Sequence, residues 1–288
     1  MSEKASDPEN KTGPEKKSRA GRDLPAAIAV GGTLGVSIIL ILLFAPMLWY
    51  VLVAVAFAIA TWEVTKRLQT AGYNVAFWPL LIGGQAIIWV SWPYGPTGVL
   101  VAFVATVLVS MVWKLLAQGI SNAPENYLTD LALTVFVLAW LPLLASFGVH
   151  LVTQDDGAAR VATLMVVVVC SDVGGYAAGV LFGKHPMAPA ISPKKSWEGL
   201  VGSLLVGTIG AVGCITFLIG SHWWIGLILG PVLVVCATLG DLVESQVKRD
   251  LGIKDMGTLL PGHGGIMDRL DSLLPSAFVV WAVLTALL

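Results

Sequence analysis

The sequence predicts an all-α, polytopic membrane protein of about nine transmembrane helices. Three observations predict it. Apolar residues make up 56% of the 288-residue chain and charged residues only 12%, against about 25% charged in soluble domains. Mean hydropathy is +0.82. The apolar residues gather into runs close to the roughly 20 residues that a span needs, and most of the charge falls between them.

The first 23 residues are polar and carry Lys4, Lys11, Lys16, Lys17, Arg19 and Arg22 among acids, prolines and glycines. This composition reads as a disordered cytoplasmic tail with too mixed a charge for a strong lipid-binding patch. The long polar lead and the absence of a small-residue cleavage site argue against a signal peptide. Apolar runs follow near 24–43, 47–62, 77–92, 97–116, 131–149, 161–182, 200–219, 223–239 and 270–288. They divide into N-terminal transmembrane helices over 24–150 and a C-terminal catalytic region over 151–288. Orientation follows from positive charge beside span ends. With the tail in the cytoplasm, Lys66, Arg67, Lys114, Lys184, Lys194, Lys195, Lys248, Arg249, Lys254 and Arg269 also fall inside. Of the chain's 17 Lys and Arg, Arg160 alone falls outside. An odd number of spans puts the C-terminus outside. Cys170, Cys214 and Cys236 lie within apolar runs without metal-ligand spacing and read as small buried side chains. A net charge of -1 shows no nucleic-acid footprint.

Few polar residues interrupt the first half. Glu63 and Lys66 read as an ordinary i,i+3 surface pair. The second half is different. Asp172, in Ser171-Asp172-Val173-Gly174-Gly175-Tyr176, lies inside the sixth run, where an ionisable side chain is costly and marks function. A protonated carboxyl tying helices together is the alternative. Gly174, Gly175 and Gly179 permit close approach by a helix or ligand. After Gly183-Lys184-His185, the prolines Pro186, Pro189 and Pro193 prevent a continuous helix. In Ser192-Pro193-Lys194-Lys195-Ser196-Trp197-Glu198-Gly199, Ser196 is placed as an N-cap. Lysines beside a helix N-terminus suit phosphate, although Lys194 and Lys195 also serve simple positive-inside anchoring.

Asp241, Glu244, Ser245 and Lys248 are spaced i, i+3, i+4, i+7 and share one helix face. Lys254-Asp255 then leads to Pro261-Gly262-His263-Gly264-Gly265, a loop whose amides can approach a ligand. The loop feeds a helix start carrying Asp268, Arg269 and Asp271. Asp268 and Asp271, joined by Asp241, make an oxygen-ligand site for Mg²⁺. Acids, lysines, arginines and a glycine-rich loop together indicate phosphate and metal. Scarce histidine and buried cysteine argue against zinc.

Ser245-x-x-Lys248-Arg249, Lys254-Asp255 and Pro261-Gly262-His263-Gly264-Gly265-x-x-Asp268-Arg269-x-Asp271 resemble the signature of the phosphatidate cytidylyltransferase family, the CDP-diacylglycerol synthases. Ser171-Asp172 with Tyr176, and Ser192-Pro193-Lys194-Lys195-Ser196-x-Glu198-Gly199, extend the resemblance over roughly the C-terminal 120 residues. Val173 departs from it, standing where the family has a small polar residue. The resemblance implies Mg²⁺-dependent transfer of CMP from CTP to phosphatidate in a cell-membrane enzyme. It also implies a homodimer and allows a second cation such as K⁺. Asp241, Asp268 and Asp271 match the metal carboxylates. Lys194, Lys195, Lys248, Arg249 and Arg269 are candidates to offset phosphate charge. Asp172 is expected at the site, and Ser196, Glu198, Ser245, Lys254, Gly264 and Gly265 at the substrates. His263 is a candidate phosphate donor or a loop residue. A transporter with Asp172 on an ion path is a competing class. It is disfavoured because the polar residues cluster at one face and no inverted repeat is evident. A polyprenol kinase is a nearer competitor, opposed by the unbroken signature.

Overall fold

Apolar runs whose backbone groups must be satisfied without water fold as helices, and the computed structural model is helical almost throughout. It describes residues 24–117, 119, 121–259 and 264–288; the polar tail and His263 lie outside the described residues. The first helices are α1 (Leu24–Phe44), α2 (Leu48–Thr70) and α3 (Phe77–Leu116). Next come α4 (Tyr127–Leu138), α5 (Leu144–His150) and α6 (Gly157–Phe182). The C-terminal helices are α7 (Trp197–Cys214), α8 (Trp223–Asp250), α9 (Met267–Leu270) and α10 (Leu273–Leu287).

Among the described residues, seven helices are long and apolar enough to cross a membrane. The expected nine is therefore not confirmed as a count, and two elements account for the difference. The described apolar part of α1, Gly35–Phe44, is short. The third and fourth runs merge in α3, whose 40 residues would span about 60 Å if straight, twice the hydrocarbon core of about 30 Å. Gly95, between Pro93 and Pro96, breaks it with φ 57° and ψ −148°, a conformation open essentially to glycine alone. The arms double back, and Gly83 packs against Thr106 so closely that a Cβ would overlap the threonine side chain. In α4–α5 the chain runs through a π-helical turn, Ala139–Leu143, around Pro142, which cannot supply an amide to the helical ladder.

Two features position the site. First, α6, α7 and α8 form a closely packed trio. A Cβ on Gly174 of α6 would come within 2.5 Å of the Gly202 carbonyl oxygen of α7, so small residues there set the helix separation. Second, the 28 residues of α8 extend about 42 Å. That exceeds the hydrocarbon thickness, so the polar turns from Asp241 onward need not lie within the span, although Glu244 is buried and Val247 still packs on the core. The proline-rich segment before α7 is a small antiparallel hairpin, β1 (Pro186–Ala188) with β2 (Ser192–Ser196). Pro186 opens its strand and Pro193 lies near an end of the other, positions where a missing amide is tolerated. Ser196 caps α7, its Oγ accepting the Gly199 amide at 3.1 Å.

The basic connections converge at one end of the bundle. Arg67 Nε donates to the Met256 carbonyl at 2.8 Å, and Arg249 Nε to the Ile191 carbonyl at 3.2 Å. Lys114 is buried, paired with Asp130 at 2.8 Å while donating to the Asn74 carbonyl at 2.7 Å. Asp130 in turn accepts the Asn74 amide at 3.0 Å. This set ties α3, α4 and the α2–α3 connection together and leaves neither buried charge unpaired.

Candidate active site

A cavity of about 350 Å³ opens between α6, the hairpin, α7 and α8. Asp172, Tyr176, Lys194, Lys195, Ser196 and Asp241 line it, with Thr238 and Ser272. Lys195 Nζ pairs with Asp241 at 2.6 Å and lies 3.4 Å from the Thr238 carbonyl. Ser245 Oγ donates to the other Asp241 oxygen at 3.2 Å. Asp172 has Asp271, Asp241, Lys195 and Arg269 as its electrostatic neighbours. Asp271 reaches this cluster because Gly240 lets α8 approach its backbone. A Cβ on Gly240 would stand 2.5 Å from the Asp271 carbonyl oxygen. Asp172 of α6 and Asp241 of α8 thus flank Lys195, with Asp271, just after α9, beside both carboxylates.

Below the cavity, the chain after α8 is held from two sides. Asp268 accepts the Met256 amide at 3.0 Å and the Gly265 amide at 2.8 Å. Its Oδ1 pairs with Lys248 Nζ at 3.0 Å, and the same lysine pairs with Glu244 at 2.7 Å. From the opposite side, Glu63 of α2 accepts the Met267 amide at 3.0 Å. Glu63 is only 2% exposed. A Cβ on Gly265 would stand 2.5 Å from Glu63 Oε2, and one on Gly257 would overlap Oε1. These glycines let the loop close onto the carboxyl. Among the described residues, Glu63 Oε1 and Glu244 Oε1 have no hydrogen-bond partner.

The sequence matches the Cytidylyltransferase family over residues 26–287. The chain belongs to that family. It is 55% identical over 278 residues to a phosphatidate cytidylyltransferase of Mycobacterium bovis, covering 94% of this chain and 91% of the relative. It is 56% identical over 280 residues to that of Mycobacterium leprae, covering 93% and 90%. A more distant relative of the same name, from Helicobacter pylori, is 42% identical over 154 residues, 53% of this chain and 56% of its own length.

Within this family member, the structure gives the expected residues different tasks. Asp172, Lys194, Lys195, Ser196 and Asp241 share the cavity, with Asp271 and Arg269 as neighbours of Asp172. Ser245 steadies Asp241. Asp268, Lys248, Gly264 and Gly265 belong to the loop beneath, where the Asp268 oxygens are engaged by amides and by Lys248. Glu198 turns to its own hairpin, pairing with His185 at 2.5 Å and accepting the amides of Lys184 and His185. Arg249 also braces the hairpin. Lys254 is exposed. The surface-pair reading of Glu63 is wrong. It is buried and reaches a residue more than 200 positions along the chain. The signal available in the sequence was a carboxylate in the last turns of an otherwise apolar span, the same cue that singled out Asp172.

The donor chemistry fits Mg²⁺. Among the described residues no three His, Cys, Asp or Glu already form a metal cage. Mg²⁺ does not require one, since it keeps waters and substrate phosphates as ligands and takes one or two carboxylates. Of the three carboxylates expected to hold it, Asp241 and Asp271 neighbour each other beside Asp172, while Asp268 is held by the loop amides and Lys248.

Proposed function

We propose that this chain is a phosphatidate cytidylyltransferase. The observation that carries the reading is the convergence of Asp172, Lys195, Asp241 and Asp271 beside a cavity in the flank of an apolar bundle. The near full-length similarity to the mycobacterial enzymes supports it. A phosphate oxygen of phosphatidate attacks the α-phosphorus of CTP. The new P–O bond forms as the bond from the α-phosphorus to the bridging oxygen of the β-phosphate breaks. CDP-diacylglycerol and pyrophosphate result. The nucleophile is already an anion, so the site has no need of a strong general base. It must offset repulsion between two polyanions and hold them in line.

Lys194 and Lys195, beside the N-terminus of α7, take phosphate oxygens. Arg269 offsets charge on the lipid phosphate, and Asp172 orients Lys195 and Arg269. Asp241 and Asp271 hold Mg²⁺, which when bound supplies positive charge against the triphosphate. Asp268 and Glu63 position the loop that leads into α9. The cavity faces the cytoplasm of a cell membrane, where CTP is available, and the converging basic connections support that orientation. The test is product formation by the purified protein. Supplied with CTP, Mg²⁺ and phosphatidate, it yields CDP-diacylglycerol identified by mass; with diacylglycerol in place of phosphatidate it yields none. Equal nucleotide incorporation without phosphatidate overturns the reading.

A further inference from the structure

A second cavity, of about 250 Å³, lies between α1, α2, α5, α6 and α10. Its walls are apolar: Ile38, Leu52, Ala56, Leu141, Leu164 and Leu274 are representative. It follows α2 from Trp49 to Ala60, a distance of about 16 Å at the helical rise. That is close to half of the hydrocarbon core of about 30 Å, the depth of one lipid leaflet. Trp49 stands at one end, its indole N–H donating to the Gly148 carbonyl at 2.9 Å. At the other end stand Ile266 and Arg269. Among the described residues lining the slot, Arg269 is the one that carries charge. The same arginine is an electrostatic neighbour of Asp172, which lines the polar cavity.

We propose that this slot takes one acyl chain of phosphatidate, with the lipid phosphate held at Arg269 beside the polar cavity. The inference rests on the phosphatidate reading above and adds where the lipid lies. An apolar slot, open along part of its length and about one leaflet long, with a cation at one end matches a phosphomonoester headgroup on a long hydrocarbon chain in both polarity and length. A chain in the slot also fixes the phosphate from a distance, so binding energy remote from the reacting atoms serves orientation. It gives α1 and α2, which carry none of the site residues expected from the sequence, a direct part in substrate recognition.

The test uses the full-length protein in detergent with two substrates, dioleoyl and dihexanoyl phosphatidate. Wild type must turn over at least one of them; if it turns over neither, the phosphatidate reading itself fails. Ala56→Phe fills the slot from the middle of α2. The expected result is a rise of at least tenfold in KM for the dioleoyl substrate, a change under threefold for the dihexanoyl one, and an unaltered KM for CTP. Equal changes for both lipids overturn the slot while leaving the activity intact. A second measurement needs no variant. Phosphatidate carrying a terminal diazirine on one acyl chain, photolysed with wild type, should label peptides from α2 or from 139–148. Excess dioleoyl phosphatidate should suppress that label and dioleoyl phosphatidylcholine should not. Label suppressed equally by both lipids marks the slot as a site for bulk lipid and overturns the proposal, as does label confined to α3, α7 or α8, which do not line it.

Discussion

Replacing Glu63 with alanine tests whether the N-terminal helices shape the catalytic loop. The substitution removes the acceptor of the Met267 amide and the carboxyl against which Gly257 and Gly265 close. A hydrogen bond to a charged acceptor contributes about 1.5–3 kcal/mol. If that free energy holds the loop in its active shape, its loss lowers kcat/KM by about 10- to 150-fold at roughly 1.4 kcal/mol per decade. Stability should change less. A buried carboxyl with one oxygen unpartnered among the described residues costs free energy to desolvate, and removing it offsets part of the lost bond. The assay is the initial rate of CDP-diacylglycerol formation at varied CTP, with thermal unfolding in the same detergent. Glu63→Gln keeps an amide acceptor and should recover at least half of the loss on a logarithmic scale. A Glu63→Ala variant within twofold of wild type refutes the clamp. Loss of activity matched by collapse of the fold refutes a role specific to the loop.

Asp241→Asn and Asp271→Asn should each lower kcat by at least about 100-fold, as expected when an electrostatic element of the transition state is lost. The double variant should be far from additive because the two act as a unit; near-normal activity of either at ordinary Mg²⁺ removes it from the site. Asp172→Asn should leave the fold and thermal stability intact with little transferase activity, since asparagine replaces a neutral carboxyl's hydrogen bonds but not a carboxylate's charge. An active, folded Asn variant assigns Asp172 a neutral structural role. A cysteine at exposed Thr258, in a background free of native cysteine, should resist an impermeant thiol reagent in intact cells and react in inverted vesicles. Labelling in intact cells reverses the orientation.

The fold class was legible because the bilayer permits few solutions: long apolar runs become helices. The number of crossings was less legible. The sequence places two runs around Pro93 and Pro96, and α3 is broken there at Gly95 into two arms that double back, so the two runs are distinct although they count as one of the seven long helices among the described residues. The hairpin at 186–196 was visible as a helix break and not as a pair of strands, since pairing depends on register between Pro186 and Ser196. At the site, i, i+3 and i, i+4 spacing correctly grouped the α8 residues. Spacing does not say which oxygen faces a substrate and which a backbone amide. Asp268 and Asp271 lie three positions apart and read alike. In the structure, Asp268 is engaged by the loop, whereas Asp271 neighbours Asp241. Glu63 was read as half of a surface pair because its partner is a backbone amide some 200 residues away, and backbone amides leave no trace in a residue pattern.

Positional labelling of CTP tests the central claim most directly, because it reports which phosphorus is attacked. With phosphatidate and Mg²⁺, label from [α-³²P]CTP should enter the lipid in one-to-one ratio with pyrophosphate released. Label from [γ-³²P]CTP should appear only in pyrophosphate. Lipid labelled from the γ position would identify a kinase and contradict the cytidylyltransferase account.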